Sequence, residues 1–310
     1  MLVRVENLVK RYGDLVALDH FNLEVQEGEI VGLLGPNGSG KTTAINCILA
    51  LLKYDKGTID VFGHPMKPDA YESKQNIGIV MQNVAVFREL TVYENIDYFC
   101  GLYVEDAKKR KEYVAEAIDF VGLGDFQTFF PHKLSGGLLR RLNIACGIAH
   151  KPKLLILDEP TVAVDPQSRN KILEGIREVN RQGTTIIYKS HYMEEVEQLC
   201  TRIVIIDQGR TIAEGTTTEL KSMINGGETI SVEIYLLESE RLAEIRQLPH
   251  VNRAHYADHL LTVHYDGGEH NLLGLLDYLK SHEIAFNKVF SEQPTLNDVF
   301  LEITGKQLRD

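Results

Sequence analysis

Four cysteines are spread over 310 residues, and none approaches the C-x-x-C spacing of a zinc or redox site. Cys47, Cys100, Cys146 and Cys200 are therefore expected to be buried, reduced thiols of a cytosolic protein. No stretch reaches the ~20 consecutive apolar residues a membrane-spanning helix needs. A role at a membrane would require another polypeptide to supply the spanning part. Arg4, Glu6, Lys10 and Arg11 interrupt the first residues, so no secretory leader is expected there. Positive charge is not in excess: 33 Lys and Arg against 44 Asp and Glu leave a net charge of −11. That balance argues against a general nucleic-acid binder, and no nucleic-acid partner is expected. The basic run Lys108–Lys111 is flanked by Glu105, Asp106, Glu112 and Glu116 and reads as a solvated helix face. Internal repeats, low-complexity tracts and sustained heptads are also missing. An ordinary globular composition is left, 44% hydrophobic and 25% charged, at a length that suits one large and one small domain.

The most informative segment present is Gly35-Pro36-Asn37-Gly38-Ser39-Gly40-Lys41-Thr42. It fits G-x-x-x-x-G-K-[ST], with an apolar run before it (Ile30 to Leu34) and a helix-like run after it (Thr43 to Leu52). Glycines let backbone N–H groups converge on phosphate oxygens, and the helix N-terminus adds a favourable dipole. Lys41 is placed to neutralise the β- and γ-phosphates, and the Thr42 hydroxyl to ligate Mg²⁺. An ordinary Gly-rich turn is the bland alternative, and the strand–loop–helix context disfavours it.

The rest of the pattern alternates. Residues 2–34 read as short strands, with Val3, Val5, Leu8 and then Phe21, Leu23, Val25 in alternation. Asn83 to Ala149 reads as mostly helical. Leu154–Leu157 is a buried-type strand ending in Asp158-Glu159, followed by a helix (166–181), a strand (184–188), a helix (193–199) and a strand (203–206). This order implies a parallel sheet with helices on its faces, interrupted by a helical insertion at about 83–150. Gly226-Gly227 marks an expected linker, so the domains read as 1–225 and 228–310. In the second, strands at 229–236, 251–256, 260–265 and 285–290 alternate with helices at 239–248 and 271–282. That βαββαβ order suits a small ferredoxin-like α+β domain. Its histidines His255, His259, His264 and His270 share no ligand spacing, and it is expected to regulate or dimerise rather than catalyse.

Five further features follow in order: Gln82 after Ile77–Met81; Leu134-Ser135-Gly136-Gly137; Asp158-Glu159; Ala163-Val164-Asp165; and Ser190-His191 with Glu194-Glu195. With them residues 2–220 resemble the ATP-binding subunit of an ABC transporter. The resemblance implies an α/β phosphate-loop NTPase. Its expected parts are a RecA-like parallel sheet core, an N-terminal antiparallel β subdomain and an inserted helical subdomain. It also implies ATP and Mg²⁺ as cofactors. Asp158, Thr42 and Gln82 would then hold Mg²⁺, Glu159 would act as general base, and His191 would contact the γ-phosphate. Tyr12 would stack on adenine, and Gly35 to Thr43 would cradle the phosphates. Ser135, Gly136 and Gly137, with Asp165, would face the nucleotide of a second copy in a homo- or heterodimer. Thr295–Leu301 is similar to the tail of bacterial drug and antibiotic exporter ATPases. That similarity implies a separate ABC-2-type permease and a place on the cytoplasmic face of the membrane.

Three positions depart from the family pattern. Leu138-Leu139 follow the glycines where a polar residue is common, and Ala163-Val164 replace a frequent Gly-Leu. Lys189 stands where a small hydroxyl residue is usual. It would share the face of His191 if its strand ran straight through, or lie in solvent or against a nearby carboxylate if the chain bends. Two rival readings are a soluble ABC ATPase without a transport role and a small-molecule phosphotransferase. The second leaves Leu134–Gly137 and His191 unexplained.

Overall fold

The computed structural model describes residues 1–305 apart from 163, 225, 226, 267, 269 and 293. Ala163 and, from the expected linker, Gly226 lie outside the described residues. Two compact units are resolved, Met1–Thr216 and Thr217–Gly305.

The first unit opens with strands β1 (Val3–Tyr12) and β2 (Leu15–Val25), paired antiparallel with Val3 opposite Val25 and Tyr12 opposite Leu15. Val3, Val5, Phe21, Leu23 and Val25 are buried, as the inward face of a one-sided sheet requires. β3 (Ile30–Leu34) is buried throughout and leads through the glycine-rich loop into α1 (Lys41–Ile48). β4 (Lys56–Val61) and β5 (His64–Pro65), two strands the sequence reading did not anticipate, extend the first sheet to β2-β1-β4-β5. α2 (Tyr71–Lys74) and β6 (Ile77–Val80) follow.

The helical insertion comprises α3 (Val92–Gly101), α4 (Ala107–Phe120) and α5 (Gly136–Ile148). It begins later than expected, because residues 83–90 form a loop. Fully buried Asn95 holds that loop: its amide donates to the Phe87, Leu90 and Thr91 carbonyls and its oxygen accepts from the Phe87 N–H. A capping box between Thr91 and Glu94 starts α3 at the end of this loop. On α4, Lys108, Lys109 and Lys111 are exposed and Arg110 pairs with Asp97 at 2.9 Å, in keeping with a solvated face.

After the insertion come β7 (Leu154–Asp158), α6 (Pro166–Arg181), β8 (Thr185–Lys189), α7 (Met193–Leu199), β9 (Arg202–Asp207) and β10 (Arg210–Gly215). The main sheet runs β10-β9-β3-β8-β7-β6, parallel except where β10 folds back on β9. β3, β7 and β8 are buried along their whole length, as strands covered on both faces must be.

His150, just past α5, gives this unit an acid-sensitive point. Its ring stacks on Tyr103 with centroids 4.2 Å apart, Nε2–H donates to the Ile77 carbonyl, and buried Nδ1 has no hydrogen-bond partner among the described residues. Burial pushes its pKa from 6.5 down to about 4. The unfolded chain therefore takes up the proton first. The stability tied to neutral His150 is complete above pH 6.5 and lost as pH falls towards 4, to a limit of about 3 kcal/mol. Replacing His150 with Gln is expected to flatten the fall in unfolding free energy between pH 6.5 and 4.5. An unchanged slope in denaturant titrations would reject that role.

The second unit contains α8 (Thr217–Met223), β11 (Thr229–Ile234), α9 (Ser239–Ile245), β12 (Val251–Ala257), β13 (Leu260–Tyr265), α10 (Asn271–Ser281), β14 (Phe286–Glu292) and α11 (Leu296–Thr304). Its sheet is antiparallel in the order β12-β13-β11-β14, so β11 lies between β13 and β14, as a ferredoxin-like βαββαβ unit requires. Ile230, Val232, Leu261, Val263, Leu275 and Leu279 form its core. α8 packs against α11 and so belongs with this unit, which puts the division before Gly226.

Candidate active site

A cavity of about 850 Å³ opens over the glycine-rich loop. β3 delivers the loop from the sheet and α1 carries it away, so its backbone amides gather at a helix N-terminus. Glycine is required at two places by close approach. A Cβ at Gly35 would collide with the Ile206 carbonyl. At Gly40, where φ is +107°, it would meet the Ala17 carbonyl at 2.6 Å. Lys41 is nearly buried and folds back on its own loop, its Nζ donating to the carbonyls of Gly35 and Pro36, each at 2.7 Å. Burial, and then the neighbouring Lys189, push its pKa from 10.5 down to about 8. Tyr12 sits at the tip of the β1–β2 hairpin, is exposed and lines the cavity, so the alternative of a core aromatic is excluded.

The acidic side of the cavity is built by the ends of β7 and β8. Their parallel register sets Asp158 opposite Lys189. Glu159 then leaves the sheet with φ +51°, a left-handed conformation that glutamate adopts at a cost. The Glu159 N–H donates to the Lys189 carbonyl at 2.8 Å, which anchors that turn. Its carboxylate projects into the cavity, with Oε2 3.1 Å from His191 Nδ1. Lys189 is buried instead of solvated. Its Nζ donates to Asp158 Oδ1 at 2.6 Å and to Thr42 Oγ1 at 3.1 Å, with Glu159 Oε1 at 3.7 Å. β8 thus runs on through Lys189 without the bend that the carboxylate alternative supposed, and the carboxylate it meets belongs to the site itself.

Supporting residues lie behind this face. Glu195 on α7 is buried, and its Oε2 accepts from Tyr188 at 2.6 Å, Thr161 at 2.8 Å and Ser190 at 3.2 Å. Ser190 in turn accepts from the Tyr192 N–H, so the segment carrying His191 is tied to β8 and to the turn after Glu159. Burial and the adjacent Glu195 carboxylate push the Tyr188 hydroxyl pKa well up, so Tyr188 remains a donor. Gln82, just beyond β6, also lines the cavity. Arg140 and Asn143 of α5 both donate to the Met81 carbonyl beside it, at 3.1 and 3.3 Å.

Asn37, Gly38, Gly40, Lys41, Thr42 and Thr43 line the same cavity, with Gly35, Pro36 and Ser39 completing the loop. Ser135, Gly136, Gly137 and Asp165 do not line it. Ser135 caps α5, accepting from the Leu138 N–H, and Asp165 caps α6 by accepting from the Ser168 N–H at 2.9 Å. That hydrogen bond holds the Asp165 carboxyl below its usual range. A Cβ on Gly137 would touch Ser168 and Asp165, so these two helix starts adjoin each other. Lys189 and Glu195 are the members whose parts sequence reasoning did not assign. A lysine closing an otherwise apolar strand was the available signal.

Comparison with known proteins identifies the family. Residues 18–162 match the family model described as ABC transporter, and residues 215–304 match that of the ATP-binding protein DrrA1-3-like, C-terminal domain. The chain is 40% identical to the linearmycin resistance ATP-binding protein LnrL of Bacillus subtilis, over 100% of both chains. It is 34% identical to the Nod factor export ATP-binding protein I of Sinorhizobium fredii, over 99% of this chain and 87% of that one. Among solved structures, a dimeric ATP-binding cassette, MJ0796, in a post-hydrolysis state bound to ADP and Pi superposes with a TM-score of 0.63. It shares 28% identity and covers 69% of this chain and 98% of its own. These relatives favour a transport role over a soluble ATPase, and the chain belongs to the ABC transporter family as an ATP-binding subunit that hydrolyses ATP.

Proposed function

We propose that two copies of this subunit, identical or paired with a related one, close face to face around ATP and Mg²⁺ and so drive a separate ABC-2-type permease from the cytoplasmic side of the membrane. The transport it powers is export, in line with relatives named for antibiotic resistance and Nod factor export. One observation carries the two-copy reading: the phosphate loop, Glu159 and His191 share a cavity that Ser135–Gly137 do not line. The N-terminus of the 13-residue helix α5 is a ready anion site without a phosphate in its own chain. A second copy supplies one.

Within each copy the loop amides and Lys41 hold the phosphates, and Tyr12 offers its ring to the base. The oxygens of Thr42 and Asp158 both reach one Nζ, so they converge on a single point, as ligands of a hard cation must. With Gln82 nearby, these residues fit Mg²⁺, which would neutralise charge developing on the phosphates. Glu159 takes the proton of the attacking water, oriented by His191. Met1–Thr216 then forms the catalytic cassette, and Thr217–Gly305 regulates or dimerises.

The test is mass in solution. With Mg²⁺ and a non-hydrolysable ATP analogue, light scattering should show the protein doubling in mass. Ser135→Arg should abolish the doubling and leave analogue binding per copy intact. Wild-type protein that stays monomeric, both alone and with its permease, would rule out the sandwich.

A further inference from the structure

Lys189 has no part in the scheme above, yet it lines the same cavity and touches two residues of the site, Asp158 and Thr42. It closes a strand that is otherwise apolar after Thr185, and only 5% of it is exposed. The β7–β8 register fixes its position opposite Asp158. An ammonium carries three N–H donors. Two are given to Asp158 and Thr42, and Lys189 also lines the cavity, where an oxygen of a bound triphosphate would meet the third. Lys41 approaches the same cavity from the loop. A lysine serving only the strand end would need the carboxylate and nothing more. This one also engages the Thr42 hydroxyl, at the start of α1.

We propose that Lys189 is a cation built into the Thr42–Asp158 position, where it gives the site affinity for a nucleoside triphosphate without a divalent ion and competes with that ion for the same two oxygens. This rests on the nucleotide-site reading above. Two consequences differ from those of a plain salt bridge. ATP affinity depends weakly on Mg²⁺, and binding of the divalent ion in the nucleotide complex needs a higher concentration than it would without the lysine.

Both are read by binding, apart from turnover. Wild-type protein, Lys189→Thr and Lys189→Met are titrated with ATP by calorimetry, in excess Mg²⁺ and in excess EDTA. Mn²⁺ binding to each complex with a non-hydrolysable ATP analogue is followed by electron paramagnetic resonance. Removing the metal should weaken wild-type ATP binding by less than about tenfold, and weaken the variants' binding about tenfold or more beyond that, the worth of one charge-assisted hydrogen bond. Mn²⁺ should half-saturate both variant complexes at about a tenfold lower concentration. Equal metal dependence in all three proteins overturns the proposal. Should Lys189→Thr fail to fold, Lys189→Met keeps the volume of the side chain. Strict Mg²⁺ dependence of ATP binding in the wild-type protein alone also overturns it. A wild-type protein that binds no ATP in either condition defeats the nucleotide-site reading itself.

Discussion

Glu159→Gln is expected to lower ATP hydrolysis by about 10²–10⁴-fold while ATP binding persists, because the amide keeps the shape of the side chain and loses its basicity. The site makes this separation clean. Glu159 is held by its own backbone: the left-handed turn and the N–H bond to the Lys189 carbonyl aim the side chain whatever its charge. The substituted amide retains an oxygen for the hydrogen bond that Glu159 Oε2 makes available to His191. With hydrolysis slowed, copies closed on Mg·ATP should accumulate as a stable dimer. Steady-state phosphate release and light scattering check both halves. A loss below tenfold would show that the base lies elsewhere, and an equal loss of ATP affinity would make Glu159 a binding residue.

Lys41→Ala acts on the other half of the cycle. Lys41 is the cation of the loop itself, held on the Gly35 and Pro36 carbonyls at the wall of the cavity. Losing one or two charge-assisted hydrogen bonds should weaken ATP binding by roughly 10²–10³-fold. His191→Ala is expected to leave affinity largely intact and lower turnover. The pH dependence carries the same signature. In the free protein Lys41 titrates at about 8, and a phosphate beside it raises that value. Below pH 8 both free and bound forms are protonated, and affinity is level. Above pH 8 binding must take up a proton, so affinity falls by up to tenfold per pH unit until the bound form also titrates. Lys41→Ala should abolish this fall. Equal affinity losses in the Lys41 and His191 variants, or a wild-type profile flat from pH 7 to 9.5, would contradict the assignment.

The cavity explains why much of the site was readable in the chain and part of it was not. The glycine-rich loop is local chemistry: strand, glycines, lysine and helix are consecutive, and their spacing alone dictates a phosphate cradle. Asp158-Glu159 could be read because an apolar strand pointed at them. Tyr12 was ambiguous, since alternation along β1 does not say whether a residue at a hairpin tip meets core or cavity. Strands β4 and β5 escaped because their stabilisation comes from pairing, β4 with β1 and β5 with β4, and their own side chains are only partly buried. The helical period does not extend into 83–90 because the Phe87 N–H and the Phe87 and Leu90 carbonyls are satisfied by Asn95, and the Ala85 N–H by Asn143, and not by helix geometry.

The linear chain by itself determined the fold class, the family and the phosphate loop, because each rests on periodicity or on spacing within a short segment. It also set the order of the βαββαβ unit. Tertiary structure alone decided where Lys189 goes. Asp158 and Lys189 are 31 residues apart, and only the parallel register of β7 and β8, with α1 presenting Thr42, lets the Lys189 ammonium bridge Asp158 and Thr42. It decided as well that Glu195 gathers three hydroxyls behind His191, and that Ser135–Gly137 do not line the cavity of their own chain. These are meetings of side chains from separate elements. Hydrogen-bond distances and burial set them, and no local pattern encodes either.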